Sequence, residues 1–335
     1  MRGTNPKGEV RIMKPKVFIA RPVPPEVEAY IGKHCHYSKW DRPEPIPRSH
    51  LLESLRDVNG LLTSGGKINS ELLDHAPHLQ VVSTMSVGYD NFDLDAMRER
   101  KILGTNTPSV LNDTVADLIF ALILDVARRV SELDRYVKDG SWKRGDVESL
   151  FGLDVHHKTL GIIGMGEIGE AVARRARRGF EMDILYHNRS RKRRAEADLD
   201  AVYCSLQQLL KESDFVVLMT PLTPETVRLI GERELSLMKS TAVFINASRG
   251  ATVDEEALLS ALQNKRIYGA GLDVYEREPI APGHALLRLP NVVTLPHIGS
   301  ATHETRYQMA MMAAENLVTA LSGHTPPNLL KELSV

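Results

Sequence analysis

The sequence predicts an α/β protein of two domains, each built around a parallel β-sheet. Three observations lead to this fold class. The chain has 335 residues, enough for two hydrophobic cores. Short apolar runs alternate with segments of helical periodicity along the whole length, as in βαβ units. A turn-like break at Asn106-Thr-Pro-Ser109 separates a first series of such units from a second.

The first series contains four predicted strands, at residues 16–20, 58–63, 79–84 and 102–105. A helix is expected to begin at Pro24-Pro25-Glu26, because proline is favoured in the first helical turn. Further helices are predicted at residues 70–75 and 93–101. Residues 1–12 lack the apolar segment of a secretory signal, and they are predicted to be a disordered tail.

A long helix is predicted at residues 113–137, where Thr114-Val-Ala-Asp117 resembles a capping box. It is apolar on nearly all faces, so a domain junction or a subunit interface is expected to cover it. The second series then supplies six predicted strands and a final helix at 303–322. The strands are predicted at residues 159–163, 182–186, 215–219, 242–246, 268–272 and 292–295.

The composition excludes several classes of protein. A hydrophobic content of 42%, a charged content of 25% and a net charge of −1 favour neither nucleic acid nor membrane as a partner. Two cysteines, Cys35 and Cys204, form no disulfide framework, which predicts a cytoplasmic location. His34-Cys35-His36 is too compact for a tetrahedral metal site, so these residues are interpreted as surface residues and no metal is expected. The arginine pairs at 174–175 and 177–178 are interpreted as solvated helix faces.

A glycine fingerprint opens the second series. Gly164, Gly166 and Gly169, with Met165, Glu167 and Ile168 between them, follow a strand and begin a helix. In this context G-x-G-x-x-G predicts that the pyrophosphate of a dinucleotide lies against the helix N-terminus. The alternative is a glycine turn that serves only packing.

The residues after the next strand bear on the choice of coenzyme. NAD sites usually place an acidic residue about 20 positions past the fingerprint. Here Asn188 stands 19 residues after Gly169, followed by Arg189, Ser190 and Arg191. Two arginines and a hydroxyl suit a 2′-phosphate, so NADPH is predicted to be preferred, with NADH as the other coenzyme. The alternative is a solvated basic loop.

Three later side chains predict a reaction. Arg249 offers a planar cation for a carboxylate, His297 a proton near neutral pH, and Glu278 a negative charge that stabilises protonated histidine. Each follows the carboxyl end of a predicted strand, where open α/β sheets bind ligands. Taken alone, Arg249 could cap a helix start, Glu278 could be a surface residue, and His297 could be a core histidine with satisfied hydrogen bonds. Together, after a nucleotide fingerprint, they predict hydride transfer to a small 2-oxo acid.

These motifs resemble the D-isomer-specific 2-hydroxyacid dehydrogenase family over residues 14–330. The resemblance is closest to bacterial glyoxylate/hydroxypyruvate and 2-ketogluconate reductases. It rests on the spacings of 29 residues from Arg249 to Glu278 and 19 from Glu278 to His297. It also rests on five segments: residues 86–90, the fingerprint, and residues 246–250, 271–279 and 296–306.

The resemblance implies two Rossmann-like domains, one flavodoxin-like and one dinucleotide-binding, with parallel sheets and a cleft between them. Residues 13–107 and 303–335 would form the substrate domain, and residues 108–302 the dinucleotide-binding domain. The helix from residue 113 would join the domains and contribute to a homodimer.

The resemblance also implies residue roles. The N–H groups of Val87 and Gly88, with Arg249, would hold the substrate carboxylate, His297 would protonate the carbonyl oxygen, and Glu278 would orient His297. Asp273 would bind the nicotinamide amide. Turn chemistry beside Pro221 is the alternative for Thr220. The other implied coenzyme contacts are Thr114, Thr220, Ala247, His297 and Gly299.

The expected activity is NADPH-preferring reduction of glyoxylate, hydroxypyruvate or 2-keto-D-gluconate to the D-2-hydroxy acid. Two alternatives stay open from the sequence. One is a corepressor of the same fold that binds NAD(H) as an assembly signal and retains the same Arg, Glu and His. The other is a different member of the family, such as a D-lactate or phosphoglycerate dehydrogenase.

Overall fold

The computed structural model describes residues 3–4, 10–11, 14–145 and 147–334, and it divides the chain into two compact units. One unit comprises the residues up to Leu111 together with Thr302 onward, and the other comprises Asn112–Ala301. The sequence placed these divisions at 107/108 and 302/303. The predicted tail lies outside the described residues except for strands β1 (Gly3–Thr4) and β2 (Val10–Arg11), which pair antiparallel.

The first unit contains a five-stranded sheet in the order β4-β3-β5-β6-β7, with every pair parallel. This is the flavodoxin-like order. Its strands are β3 (Lys16–Ile19), β4 (His36–Lys39), β5 (Gly60–Thr63), β6 (Val81–Thr84) and β7 (Leu103–Thr105). Its helices are α1 (Pro25–His34), α2 (Arg48–Ser54), α3 (Ser70–Asp74) and α4 (Leu94–Glu99). The predicted strands are confirmed within two residues, whereas β4 was not predicted because all four of its residues are exposed.

Asn112–Ala301 contains a seven-stranded parallel sheet in the order β10-β9-β8-β11-β12-β13-β14, the dinucleotide-binding order with one added strand. Its strands are β8 (Thr159–Ile163), β9 (Asp183–His187), β10 (Val202–Tyr203), β11 (Phe215–Leu218), β12 (Val243–Asn246), β13 (Gly269–Leu272) and β14 (Val292–Thr294). Its helices are α5 (Asn112–Arg128), α6 (Val130–Lys138), α7 (Glu167–Gly179), α8 (Arg193–Leu199), α9 (Leu206–Glu212), α10 (Glu232–Leu237) and α11 (Glu255–Gln263). The predicted α/β class with two parallel sheets is confirmed, but the two-residue edge strand β10 was not predicted.

The single helix predicted at 113–137 is wrong in two respects. Arg129 adopts a left-handed conformation at φ 56° and separates α5 from α6. Because α5 begins at Asn112, Thr114 lies inside the first turn and cannot cap it, and Asp117 instead pairs with Arg175 at 2.7 Å. That ion pair also corrects the interpretation of Arg175 as part of a solvated face.

The apolar surface of α5 is covered largely within its own unit. The helix packs on β12, β13 and α7. Gly271 permits this close approach, because a Cβ there would lie 3.0 Å from the Cβ of Leu122 and 2.8 Å from Ile245. By contrast, none of the residues of α6 is buried.

The last helix, α12 (His303–Leu321), returns to the first unit. Alternate residues of that sheet face opposite sides. One core contains Phe18, Leu61 and Val82 together with Leu330 and Leu333 from the C-terminal segment. The other contains Val17, Leu62 and Val81 together with side chains of α12 such as Leu317. Both faces of the sheet are therefore buried, and both covers include residues from the end of the chain.

Cys35 is 2% exposed, so its interpretation as a surface residue is wrong. No group of three His, Cys, Asp or Glu residues suited to a metal ion occurs among the described residues. Within the same residues, no helix combines the length and the apolarity needed to span a membrane.

Candidate active site

The fingerprint turn follows β8. At Gly164 and Gly169, other backbone atoms occupy the space where a side chain would lie. Gly164 has φ 102°, and a Cβ there would lie 2.7 Å from the carbonyl oxygen of Met219. A Cβ on Gly169 would lie 2.7 Å from the carbonyl oxygen of Gly164. At Gly166 no atom lies within 4 Å of the Cβ position, so this side of the turn is open to an approaching group.

This turn fits a dinucleotide phosphate. Gly166 is the N-cap of the 13-residue helix α7 and offers no side chain to its first N–H groups, which lack partners within a helix. Asn188 fixes the turn, because its side chain accepts from the N–H of Met165 (2.8 Å) and donates to the carbonyl of Met165 (3.1 Å). The hydroxyl of Thr220 is buried and has no hydrogen-bond partner among the described residues. An unsatisfied buried hydroxyl beside an open glycine turn is the pattern of a ligand site.

The basic loop after β9 is held by a hydrogen-bond network that reaches the buried Tyr186. Arg189, Ser190 and Arg191 are exposed. The guanidinium of Arg191 donates to both carboxylate oxygens of Glu196, at 2.9 and 2.8 Å, and lies 5.8 Å from the centre of the Tyr203 ring. Glu196 also accepts from the hydroxyl of Tyr186 at 2.6 Å. Arg191 is therefore held in place, and part of its charge is already balanced.

Arg249 stands in a turn directly after β12. Asn246 organises this turn, since its side chain accepts from the N–H of Ser248 at 3.1 Å and donates to the carbonyl of Arg249 at 3.1 Å. Gly250 follows, and a Cβ there would lie 1.8 Å from the carbonyl carbon of Tyr275. Only glycine allows the two loops to cross at this distance, so the Arg249 turn is fixed against the segment that leads to Glu278.

Glu278 and His297 are brought together as predicted. Nδ1 of His297 lies 2.7 Å from Oε2 of Glu278, and Oε1 of Glu278 accepts from the N–H of Tyr275 at 3.1 Å. Burial raises the pKa of Glu278, but the hydrogen bond and charge of His297, with the Tyr275 N–H and the charge of Arg249, hold this pKa below its ordinary value. The His297 side chain remains 48% exposed, so its other ring nitrogen can reach a ligand.

His297 has an unusual backbone. Its φ of 55° lies in the left-handed region, which costs a residue other than glycine about 1–3 kcal/mol and persists only where the surroundings enforce it. Asp273 provides that support, because its two carboxylate oxygens accept from the N–H groups of Ile298 (2.7 Å) and Gly299 (2.8 Å). Burial raises the pKa of Asp273 despite these bonds. This loop-holding role was not predicted from the sequence.

The predicted residues of this unit follow the carboxyl ends of six parallel strands, so they share one edge of the sheet. In the order of the strands these are Asn188, Gly164, Thr220, Ala247, Asp273 and His297. Thr114 lies in the first turn of α5, where the neighbouring Val115 lies 3.4 Å from the Cβ position of Gly299, after β14. Val87 and Gly88 belong to the other unit, where they follow β6 and are half-buried.

Sequence reasoning missed the residues that hold the predicted ones in place. Glu196 and Tyr186 fix Arg191, and Asn246 fixes the Arg249 turn. A signal was present in part: Glu196 lies five residues after Arg191, and Asn246 is a polar residue at the end of an otherwise apolar strand.

A dinucleotide-binding sheet that presents a histidine–carboxylate pair at its ligand edge defines a class of protein, the NAD(P)-dependent dehydrogenases. Residues 120–299 match the family described as "D-isomer specific 2-hydroxyacid dehydrogenase, NAD binding domain". The chain is 49% identical over 316 residues to glyoxylate/hydroxypyruvate reductase B of Klebsiella pneumoniae, covering 94% of this chain and 98% of that protein. The chain therefore belongs to the D-isomer-specific 2-hydroxyacid dehydrogenase family, and it is an NAD(P)-dependent enzyme.

Solved structures agree with this family. An NADPH-dependent glyoxylate/hydroxypyruvate reductase from Sinorhizobium meliloti, in complex with NADP and malonate, is 33% identical, with a TM-score of 0.84 over 96% of this chain and 98% of that one. A glyoxylate reductase from Paecilomyes thermophila is 32% identical, with a TM-score of 0.87 over 96% of this chain and 99% of that one.

Proposed function

We propose that this enzyme reduces a small 2-oxo acid, with glyoxylate, hydroxypyruvate and 2-keto-D-gluconate as the candidate substrates, to the D-2-hydroxy acid. The observation that carries the proposal is the 2.7 Å pair of His297 and Glu278 at the same sheet edge as the glycine fingerprint. The relatives described above are glyoxylate or glyoxylate/hydroxypyruvate reductases, which supports a small 2-oxo acid as the substrate. NADPH, a proton and the 2-oxo acid are consumed, and NADP⁺ and the hydroxy acid are formed.

Each reacting group has a residue that serves it. When bound, the reduced nicotinamide supplies the hydride. His297 donates a proton to the carbonyl oxygen as it gains negative charge, and Glu278 stabilises the protonated imidazole and fixes its orientation. Arg249 binds the substrate carboxylate and orients the carbonyl. The N–H groups of Val87 and Gly88 are also proposed to bind a substrate carboxylate, and the unit that carries them is proposed as the substrate domain.

The coenzyme is held by the other unit, as a dinucleotide-binding domain. The open turn at Gly166 and the first N–H groups of α7 receive the pyrophosphate. The unpartnered hydroxyl of Thr220 and the residues at the ends of β12 to β14 contact the rest of the coenzyme. Asp273 retains its proposed contact with the nicotinamide amide, in addition to holding the His297 loop.

NADPH preference is the first expected result. No acidic side chain stands at Asn188, and the exposed cations of Arg189 and Arg191 favour a 2′-phosphate. Assays at 340 nm with the three substrates and pyruvate should show a lower KM for NADPH than for NADH. Arg191→Ala should raise the KM for NADPH by about tenfold and leave that for NADH unchanged, as expected for one charge-assisted hydrogen bond.

Arg177→Ala is the matched control. Arg177 pairs with Asp200 and with Asp183, the first residue of β9, whereas the basic loop follows the other end of that strand. A lower KM for NADH in the wild-type enzyme would contradict the preference. Absence of turnover with every pair would mean that the substrate is a different 2-oxo acid.

The pH dependence follows from the Glu278–His297 pair. Reduction consumes a proton that His297 donates, so the rate should fall as pH rises. The pKa of Glu278 is lowered from 4.5, so its carboxylate stays ionised above this pH and favours the protonated imidazole. In Glu278→Gln that support is lost, and the fall in rate should begin at lower pH. Profiles of kcat/KM from pH 5 to 10 measure this shift, and coincident profiles would contradict it.

We also propose a cytoplasmic homodimer. Beyond the break at Arg129, Val130, Val137, Trp142 and Phe151 are each more than half exposed. Apolar side chains grouped along one stretch of chain mark an interaction surface. Light scattering should give twice the chain mass of 37.3 kDa, and Val137→Asp should shift the mass toward the monomer. A monomeric wild-type protein would contradict this assembly.

A further inference from the structure

The loop that follows β6 is held by the segment that follows β7. Thr107 donates its N–H to the carbonyl of Ser86 (3.0 Å), and Asn106 donates its side-chain amide to the carbonyl of Val87 (2.8 Å). The hydroxyl of Ser86 donates to the carbonyl of Gly88 at 2.7 Å. Three successive carbonyl oxygens of this loop are therefore engaged.

Holding these carbonyls also sets the direction of the amides. In a trans peptide the C=O and N–H bonds point in opposite directions across a rigid plane. Fixing the carbonyl of Ser86 aims the N–H of Val87 away from Thr107, and fixing the carbonyl of Val87 aims the N–H of Gly88 away from Asn106. Neither N–H donates a hydrogen bond within the described residues of this unit. Two adjacent N–H groups without partners are suited to bind a carboxylate.

Asn106 is itself anchored. Its carbonyl accepts from the side-chain amide of Asn316 at 3.2 Å, and its N–H donates to the carbonyl of Asn328 at 3.4 Å. Asn316 is 1% exposed on α12, and its own amide oxygen accepts from the N–H of Asn328 at 3.3 Å. The position of Asn106 thus depends on a buried polar network and not on a mobile surface contact.

We propose that Asn106 is a positioning residue for the substrate carboxylate, acting by fixing the peptide between Val87 and Gly88. The inference rests on the proposed function of those two N–H groups. Without the amide of Asn106, this peptide can rotate, and the N–H of Gly88 loses its fixed direction. The cost falls on binding of the 2-oxo acid, and neither the coenzyme site nor the proton donor is touched.

Oxalate tests the proposal, because it offers the adjacent carboxylate but is not reduced. Its Kd is measured on the NADPH-bound enzyme by calorimetry for wild type, Asn106→Ala and Asn59→Ala. Asn59 is the matched control, since its side chain also binds backbone in this sheet, at Lys16 and His78, but at the start of β5 and hence at the opposite edge.

Asn106→Ala should weaken oxalate binding by about tenfold, the value of one lost hydrogen bond to a charged group. It should raise the KM for the 2-oxo acid by a similar factor, with kcat within a few-fold of wild type and the Kd of NADPH unchanged. Asn59→Ala should bind oxalate as wild type does. Asn106→Asp, which keeps the side-chain size but loses the N–H donor, should bind oxalate at least as weakly as the alanine variant.

Wild-type oxalate affinity in Asn106→Ala would overturn the proposal. If that variant does not fold, the same result in Asn106→Asp would overturn it. An equal loss of NADPH affinity would also overturn it, because the effect would then be a general loss of structure. Failure of the proposed function is distinguishable, since the wild-type enzyme would then neither bind oxalate nor reduce any 2-oxo acid.

Discussion

Replacing His297 by alanine should lower kcat for 2-oxo acid reduction by about 10²–10⁴, the usual contribution of a general acid. The proton donor is lost, while the fingerprint turn and Asp273 keep their contacts. The Kd of NADPH, measured by quenching of protein fluorescence, should therefore stay within a few-fold of wild type. The rate that remains should also depend less on pH than the wild-type rate, because the proton donor is absent.

His157 offers a closely matched control. It too is a histidine in the left-handed region, at φ 57°, and its Nδ1 lies 3.6 Å from a carboxylate oxygen of Glu181. However, it precedes β8 and so lies at the amino ends of the strands. His157→Ala should retain wild-type kcat. Near-wild-type turnover in His297→Ala would refute the proton-donor role.

The second large effect is expected at Arg249. Two charge-assisted hydrogen bonds to a carboxylate contribute about 1.5–3 kcal/mol each, so Arg249→Ala should lower kcat/KM for the 2-oxo acid by about 10³. Arg249→Lys should recover part of the loss, because it keeps the charge but not the planar fork. Steady-state kinetics measure both variants.

The Arg249 effect should be specific to the acid substrate. The Kd of NADPH should be unchanged in both variants. Arg233→Ala is a suitable control, because the Arg233 side chain is 86% exposed and pairs only with Glu234 among the described residues. Equal losses of acid and coenzyme binding would contradict a role in holding the carboxylate.

Most strands could be predicted because burial on both faces leaves a strong signal. Runs such as Phe215–Leu218 are wholly apolar and wholly buried. The exceptions carry no such signal. β4 is exposed along its length, and β10 has two residues at the sheet edge. The break at Arg129 has neither glycine nor proline, so sequence rules gave no reason to end the helix there.

The candidate site likewise contains residues that could be predicted from the sequence and residues that could not. The partners Glu278 and His297 could be predicted, because their chemistry and their places after strands point to one edge. The residues that hold them could not be predicted. Nothing in the sequence indicates that the carboxylate of Asp273 accepts from two backbone N–H groups, so Asp273 was predicted only as a coenzyme contact. Hydrogen bonds between distant segments, as from Asn106 to Val87, leave no pattern in the sequence.

The discontinuous first unit has a consequence for how the chain is made. Its sheet is assembled from residues before Leu111, but α12 covers one face, and Leu330 and Leu333 close against the other. During synthesis these late residues emerge only after the whole of Asn112–Ala301. Domains usually complete their folding in the order in which the ribosome delivers them. The first unit therefore cannot complete its two cores until α12, Leu330 and Leu333 have been synthesised.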